Sequence, residues 1–196
     1  MYNRKDSYYR KAKREGYRSR ASYKLLQLNR KFNLMRRGDK VLDLGCAPGG
    51  WMQVALETVG EKGLVVGVDL SDIEAFSEKN LHFVRGDVNF DETHKEIREI
   101  SPHFDVVISD LSPRIIGVWD VDSHNSYLLS LCALSLAKIF LKPKGNFLVK
   151  LFSGKEMDEF LKELKKRFRY VKISRPKASR KRSAEIYFVS KGFLRN

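Results

Sequence analysis

The sequence predicts an α/β fold, a doubly wound and mostly parallel sheet of seven strands with one antiparallel strand near its edge. Three observations carry that expectation. Short apolar runs rich in Val, Ile and Phe alternate with helical segments, which is how a sheet covered on both faces reads along a chain. The first run opens directly into a glycine-rich turn, VLDLGCAPGGWMQ from Val41 to Gln53. The last two runs, YVKISRP and AEIYFVS, are joined only through PKASRKRSA, too short for a parallel crossover, so they must pair antiparallel. With 196 residues and 42% apolar content, one domain is expected over residues 1–196, made of a basic arm at 1–17 and a body at 18–196.

Each element has its own signal. After an arm expected to be mobile, SRASYKLLQLNRKF from Ser19 to Phe32 places Tyr23, Leu25, Leu26 and Leu28 on one helical face. KVLDLG, after the turn at Arg37-Gly38-Asp39, reads as a buried strand; GGWMQVALETVG reads as a helix closed by Gly60, and GLVVGVDL as a second buried strand. NLHFVRGD gives a short third strand turning at Gly86, ETHKEIREI a helix, and FDVVISDLS a fourth strand. DSHNSYLLSLCALSLAKIFLKPKG is a long helix stopped by Pro143 and Gly145. NFLVKLF is the fifth strand and KEMDEFLKELKKRF a helix, before the closing antiparallel pair.

Charge is strongly segregated. The net charge is +14; residues 1–40 hold 14 basic and 3 acidic residues, residues 162–196 hold 13 and 2, and residues 41–161 hold 11 and 19. Two basic flanks around an acidic body suit a polyanion that both flanks can grip, since each neutralised phosphate releases counterions, with solvated basic tails as the rival reading. No apolar run approaches the ~20 residues of a membrane span, and MYNRKDSYYRKAKREG lacks the apolar core of a signal peptide, so a cytoplasmic protein with no membrane partner is expected. Cys46 and Cys132 form no CxxC, and His82, His94, His103 and His124 are scattered, so neither a disulfide framework nor a metal site is expected.

In doubly wound sheets the ligand sits beyond the carboxyl ends of the strands, where the strand order reverses, so strand-end residues are the first candidates. The turn Gly45-Cys46-Ala47-Pro48-Gly49-Gly50 is not GxGxxG: Ala47 stands where close approach to a pyrophosphate needs glycine, which argues against NAD. A triphosphate would want a lysine in that turn, and none is there. Asp69, 24 residues after Gly45, ends the second strand and is placed to accept from a ribose diol, with a helix N-cap in DLSD as its rival use. Asp87 in RGDV is placed to face an adenine amino group, with a turn after Gly86 as the rival. Asp43, Asp69, Asp87 and Asp110 together suit a cationic sulfonium cofactor. Lys150 interrupts an otherwise buried strand, and Asp110 closes FDVVISD facing the crevice; spacing singles out these two alone. By spacing, Lys24 is a solvated helix lysine and Glu185 an edge-strand carboxylate.

Five ordered motifs change that reading. SRASYKL around Lys24, LDLGCAPGGW, SDLSP around Asp110, GNFLVKLF around Lys150 and SRKRSAEIYFV around Glu185 together resemble the RrmJ/FtsJ-type ribose 2′-O-methyltransferases, from about residue 6 to 192. The resemblance implies a Rossmann-like class I methyltransferase sheet, S-adenosylmethionine as cofactor, and a catalytic tetrad at Lys24, Asp110, Lys150 and Glu185. It puts cofactor contacts at Gly45, Gly49, Trp51, Asp69, Asp87 and Asp110. The implied substrate is a uridine ribose in large-subunit ribosomal RNA, with no DNA and a monomeric enzyme expected. A transfer-RNA ribose methyltransferase and a non-catalytic RNA-binding assembly factor are the rivals. One departure stands out: Pro113 is followed by Arg114, Ile115, Ile116 and Gly117, where the family continues with Asn and a small residue before Gly. A like charge on Lys24 disfavours a cationic Lys150 whereas Asp110 and Glu185 favour it, so Lys150 reads as general base or as alkoxide stabiliser. RNA phosphates are expected to meet Arg4, Lys5, Arg10, Lys11, Lys13, Arg14, Arg18 and Arg20 of the N-terminal region beside Arg180, Lys181 and Arg182. Tyr2, Tyr8, Tyr9 and Tyr17 interleave with them and can stack on bases or pack on the body.

Overall fold

All seven apolar runs become strands of one sheet in the computed structural model, which describes residues 6–180 and 183–195. The strands are β1 (Lys40–Leu44), β2 (Leu64–Asp69), β3 (Leu81–Arg85), β4 (Phe104–Ser109), β5 (Leu141–Phe152), β6 (Phe168–Ser174) and β7 (Glu185–Phe193). Their order across the sheet is β3-β2-β1-β4-β5-β7-β6. Every neighbouring pair from β3 to β5 is parallel, whereas β7 runs antiparallel to both β5 and β6 and so lies second from the edge, as the short last connection requires. From β1 the chain builds outward through β2 and β3, then returns to β4 on the other side. The reversal opens a crevice beyond the carboxyl ends of β1 and β4.

Successive residues of a strand point to opposite faces, and in the central strands both faces are buried, while the edge strands β3 and β6 keep exposed positions. Val41, Val65, Val106, Ile108 and Leu148 pack beneath α2 (Ser22–Phe32) and α3 (Gly50–Val59), against Leu25, Leu28, Met52 and Val54. Their strand neighbours Leu42, Val66, Val107, Phe147 and Val149 pack against α4 (Asp91–Ile100), α5 (Trp119–Phe140) and α6 (Met157–Arg167), through Ile97, Phe140 and Phe160. Fully burying each such side chain stabilises the fold by about 1.5–3 kcal/mol relative to exposure.

Two expectations need correcting. The arm expected to be mobile forms a helix, α1 (Ser7–Arg14), capped by the Asp6 carboxylate, which accepts from the Tyr9 amide at 3.0 Å. Ala12 packs with Tyr23 and Ala178, the Tyr8 ring lies 5.5 Å from that of Tyr23, and Asp6 pairs with Arg20 at 3.1 Å and Arg180 at 3.6 Å. The long helix begins earlier than expected, at Trp119, and ends at Phe140 ahead of Pro143. The backbone of β5 already pairs with β4 from Leu141, with a register shift before Asn146.

Candidate active site

A crevice of about 420 Å³ opens where the sheet order predicts, walled by Gly45, Ala47, Asp69, Asp87, Asp110 and Leu111. Its size falls in the ordinary range for small-molecule sites. Gly45 adopts φ 79°, and a Cβ there would lie 2.9 Å from the Leu111 side chain, so only glycine lets the first turn meet the loop after β4. Asp69 accepts from the amides of Ala47 at 2.9 Å and Ser71 at 2.8 Å, and no helix follows it, so the N-cap use is not realised. Asp87 does close a turn, accepting from the Asn89 amide at 2.9 Å, and also borders the crevice. Asp43, fully buried in β1, has no hydrogen-bond partner on either carboxylate oxygen among the described residues. Burial first, then the charges of Asp110 and Asp69, push its carboxyl well above the usual carboxylate range.

Beside this crevice four charged side chains form two ion pairs. Lys150 donates to the backbone carbonyl of Asp110 at 2.8 Å and pairs with its carboxylate at 3.3 Å. Lys24, brought from α2 across 161 residues of sequence, donates to Glu185 at 2.6 Å. Both lysines are buried, which is tolerated because each is paired. Each lysine thus meets its own carboxylate, so neutralisation within each pair accompanies any repulsion between them. Tyr187 sits opposite Lys150 in the β5–β7 register and donates its hydroxyl to Asp110 at 3.1 Å, with the Lys24 ammonium 5.8 Å from its ring centre. Burial, then the charges of Asp110 and Glu185, hold that hydroxyl protonated. The sequence reading missed Tyr187, although its position two residues after Glu185 puts both on one face of β7.

Other expected residues lie elsewhere. Gly49 and Trp51 do not line the crevice. Gly49 adopts φ 102°, and a Cβ there would meet Arg18 at 2.9 Å and Phe76 at 3.1 Å; Trp51 is buried, donates to the Ala21 carbonyl at 2.9 Å and packs on Tyr187. The Arg18 guanidinium donates to the carbonyls of Glu74 and Ala75 and lies 3.6 Å over the Phe76 ring, and Arg20 donates to the Ala178 carbonyl as well as pairing with Asp6. Both therefore brace the fold. Arg10, Lys11, Lys13 and Arg14 are exposed on α1, whose anchor at Ala178 brings the helix beside Arg180. Tyr8 and Tyr17 pack against Tyr23, whereas Tyr9 is exposed. Tyr2, Arg4, Lys5, Lys181 and Arg182 lie outside the described residues. Among the described residues no helix is long and apolar enough to cross a membrane.

Comparison with known proteins adds a family match, two relatives and a solved structure. The FtsJ-like methyltransferase family matches residues 17–193. Ribosomal RNA large subunit methyltransferase E of Archaeoglobus fulgidus is 54% identical over 193 residues, covering 98% of each chain, and that of Methanothermobacter thermautotrophicus is 52% identical over 191 residues, covering 97% of this chain and 90% of the other. The crystal structure of a protein described as a ribosomal RNA methyltransferase from Plasmodium falciparum superposes with a TM-score of 0.82 at 30% identity, covering 91% of this chain and 99% of the other.

Proposed function

The chain belongs to the FtsJ-like methyltransferase family, and from that premise we propose that it uses S-adenosylmethionine to methylate a ribose 2′-hydroxyl, that of a uridine, in large-subunit ribosomal RNA. One observation carries the reading: Asp110 both walls the crevice and holds Lys150, so a bound cofactor and a polar group suited to hydroxyl chemistry share one residue. The crevice fits a cationic sulfonium. Asp69, Asp87 and Asp110 face it, and the turn after β1 contains no lysine to favour a triphosphate. When bound, the cofactor supplies an electrophilic methyl group.

The chain's own residues do the rest. A neutral hydroxyl is a poor nucleophile, so its proton must leave as the new bond forms. Lys150 contacts the hydroxyl oxygen, taking its proton as an amine, or as an ammonium steadying the developing negative charge while the proton passes to solvent. Asp110 fixes the Lys150 head group with two acceptors, and Tyr187 keeps the Asp110 carboxylate turned toward it. Lys24 and Glu185 hold the adjoining wall as a neutral pair. Arg10, Lys11, Lys13, Arg14 and Arg180 are the cations we assign to the RNA backbone, in keeping with the large-subunit substrate named for the relatives. The test is incubation with methyl-labelled S-adenosylmethionine and total RNA, followed by mapping of the methylated ribose. Label at a large-subunit 2′-oxygen is expected; label confined to transfer RNA changes the substrate, and no label from an intact protein overturns the activity.

A further inference from the structure

Beside Lys150 lies a surface that the reaction described above leaves unused. It is the segment where the resemblance to the family pattern breaks. Ile115 and Ile116 are each 58% exposed, Val118 54%, Trp119 48% and Val121 41%, a cluster of exposed apolar residues interrupted only by Gly117 and Asp120, of the kind that marks a contact surface. The segment is held in shape. Asp122, buried in the first turn of α5, accepts from the amides of Ile116 at 2.9 Å and Gly117 at 3.0 Å. The Trp119 ring stacks on Phe152, with centroids 6.3 Å apart and planes 16° from parallel. Phe152 follows Lys150 by two residues on the same face of β5, and the Lys150 Nζ lies 5.9 Å from its ring centre. Two aromatic rings therefore lead from the amine to the surface.

We propose that Trp119, seated on Phe152, receives the nucleobase of the target nucleotide, so that the substrate is an unpaired nucleotide swung out of its stack. This rests on the reading that Lys150 contacts a ribose hydroxyl. A ribose at Lys150 carries its base on the adjoining carbon, and the nearest aromatic surface leading outward is this pair. Aromatic faces stack on any base, and RNA recognition at unpaired loops commonly works this way. Arg114, exposed in the same segment, supplies a cation for the neighbouring phosphate. Ordering by Asp122 means that the platform exists before RNA arrives.

The experiment uses the large-subunit RNA fragment identified by the ribose mapping, and the same fragment made abasic at the target nucleotide. Trp119→Ala is expected to slow single-turnover methylation of the intact fragment about tenfold, Trp119→Phe to restore most of the rate, and Trp119→Ala to cause no further loss on the abasic fragment. The chain has two tryptophans and Trp51 is buried, so quenching of the exposed Trp119 by the intact fragment but not by the abasic one is the second readout, and it decides alone if the abasic fragment reacts too slowly. Equal losses on both fragments, equal quenching by both, or no loss on either overturns the proposal and gives the patch to another partner. Absence of ribose methylation by the wild-type protein overturns the underlying reading instead.

Discussion

At the scale of single residues, the site combines groups that are expensive to bury with specific means of keeping them. Lys150 is held by a carbonyl and a carboxylate of the same residue, so its head group has little freedom to move away from Asp110. Lys150→Ala is expected to lower turnover at least about 100-fold, the scale of losing an acid–base or charge-stabilising group, while cofactor affinity changes little. Near-wild-type turnover in a folded Lys150→Ala protein would remove the residue from the mechanism. Asp43 makes a different demand. Its carboxyl is raised in the folded state, so the folded chain keeps a proton that the unfolded chain has lost above the ordinary carboxylate pKa of about 3.9. The stability it contributes is complete below that value and declines as pH rises toward the raised folded value, by up to about 1.4 kcal/mol per pH unit. Asp43→Asn removes this dependence, so the melting temperature of the variant relative to wild type should climb between pH 4 and 8. A constant difference across that range contradicts a proton-bearing Asp43.

At the scale of elements, α1 shows why basic chain ends are hard to read from sequence. Only Ala12 of its eight residues is buried, too little for an apolar stripe, and its anchors Tyr23, Arg20, Ala178 and Arg180 come from elsewhere in the chain. The central strands were legible because both of their faces are buried, which leaves mostly apolar runs such as LVVGV in β2 and FLV in β5. Lys150 and Asp110 were legible for the same reason, each being a charge against such a run. Lys24 and Glu185 were not: their pairing spans most of the chain, and neither helix periodicity nor strand alternation records a partner so distant. The helical arm sharpens the RNA expectation. Arg10, Lys11, Lys13 and Arg14 now share one short rigid element beside Arg180. Replacing all four with Gln should weaken RNA binding and reduce the magnitude of the slope of log K against log salt by up to about 3. An unchanged slope would show that α1 serves only to cover Tyr23 and its neighbours.

At the scale of the whole molecule, the segregation of charge matches the division of labour. The crevice draws its aspartates from the acidic body, and α1 and Arg180 come from the two basic ends. A cation in the crevice should then stabilise the fold by mass action. At a hundredfold excess over Kd, S-adenosylmethionine is expected to raise the melting temperature by roughly 5–10 °C, and NAD to leave it unchanged. A shift with NAD alone would overturn the cofactor assignment. The placement of β7 has a consequence of another kind, for the making of the protein. It is the last strand along the chain, yet it lies inside the sheet between β5 and β6, and it carries both Glu185 and Tyr187. During synthesis the earlier parallel strands can associate while β7 is still within the ribosome. The residues that line the crevice, none of them beyond Leu129, therefore precede the strand that brings Glu185 and Tyr187 beside it, and that wall is complete only once β7 enters between β5 and β6.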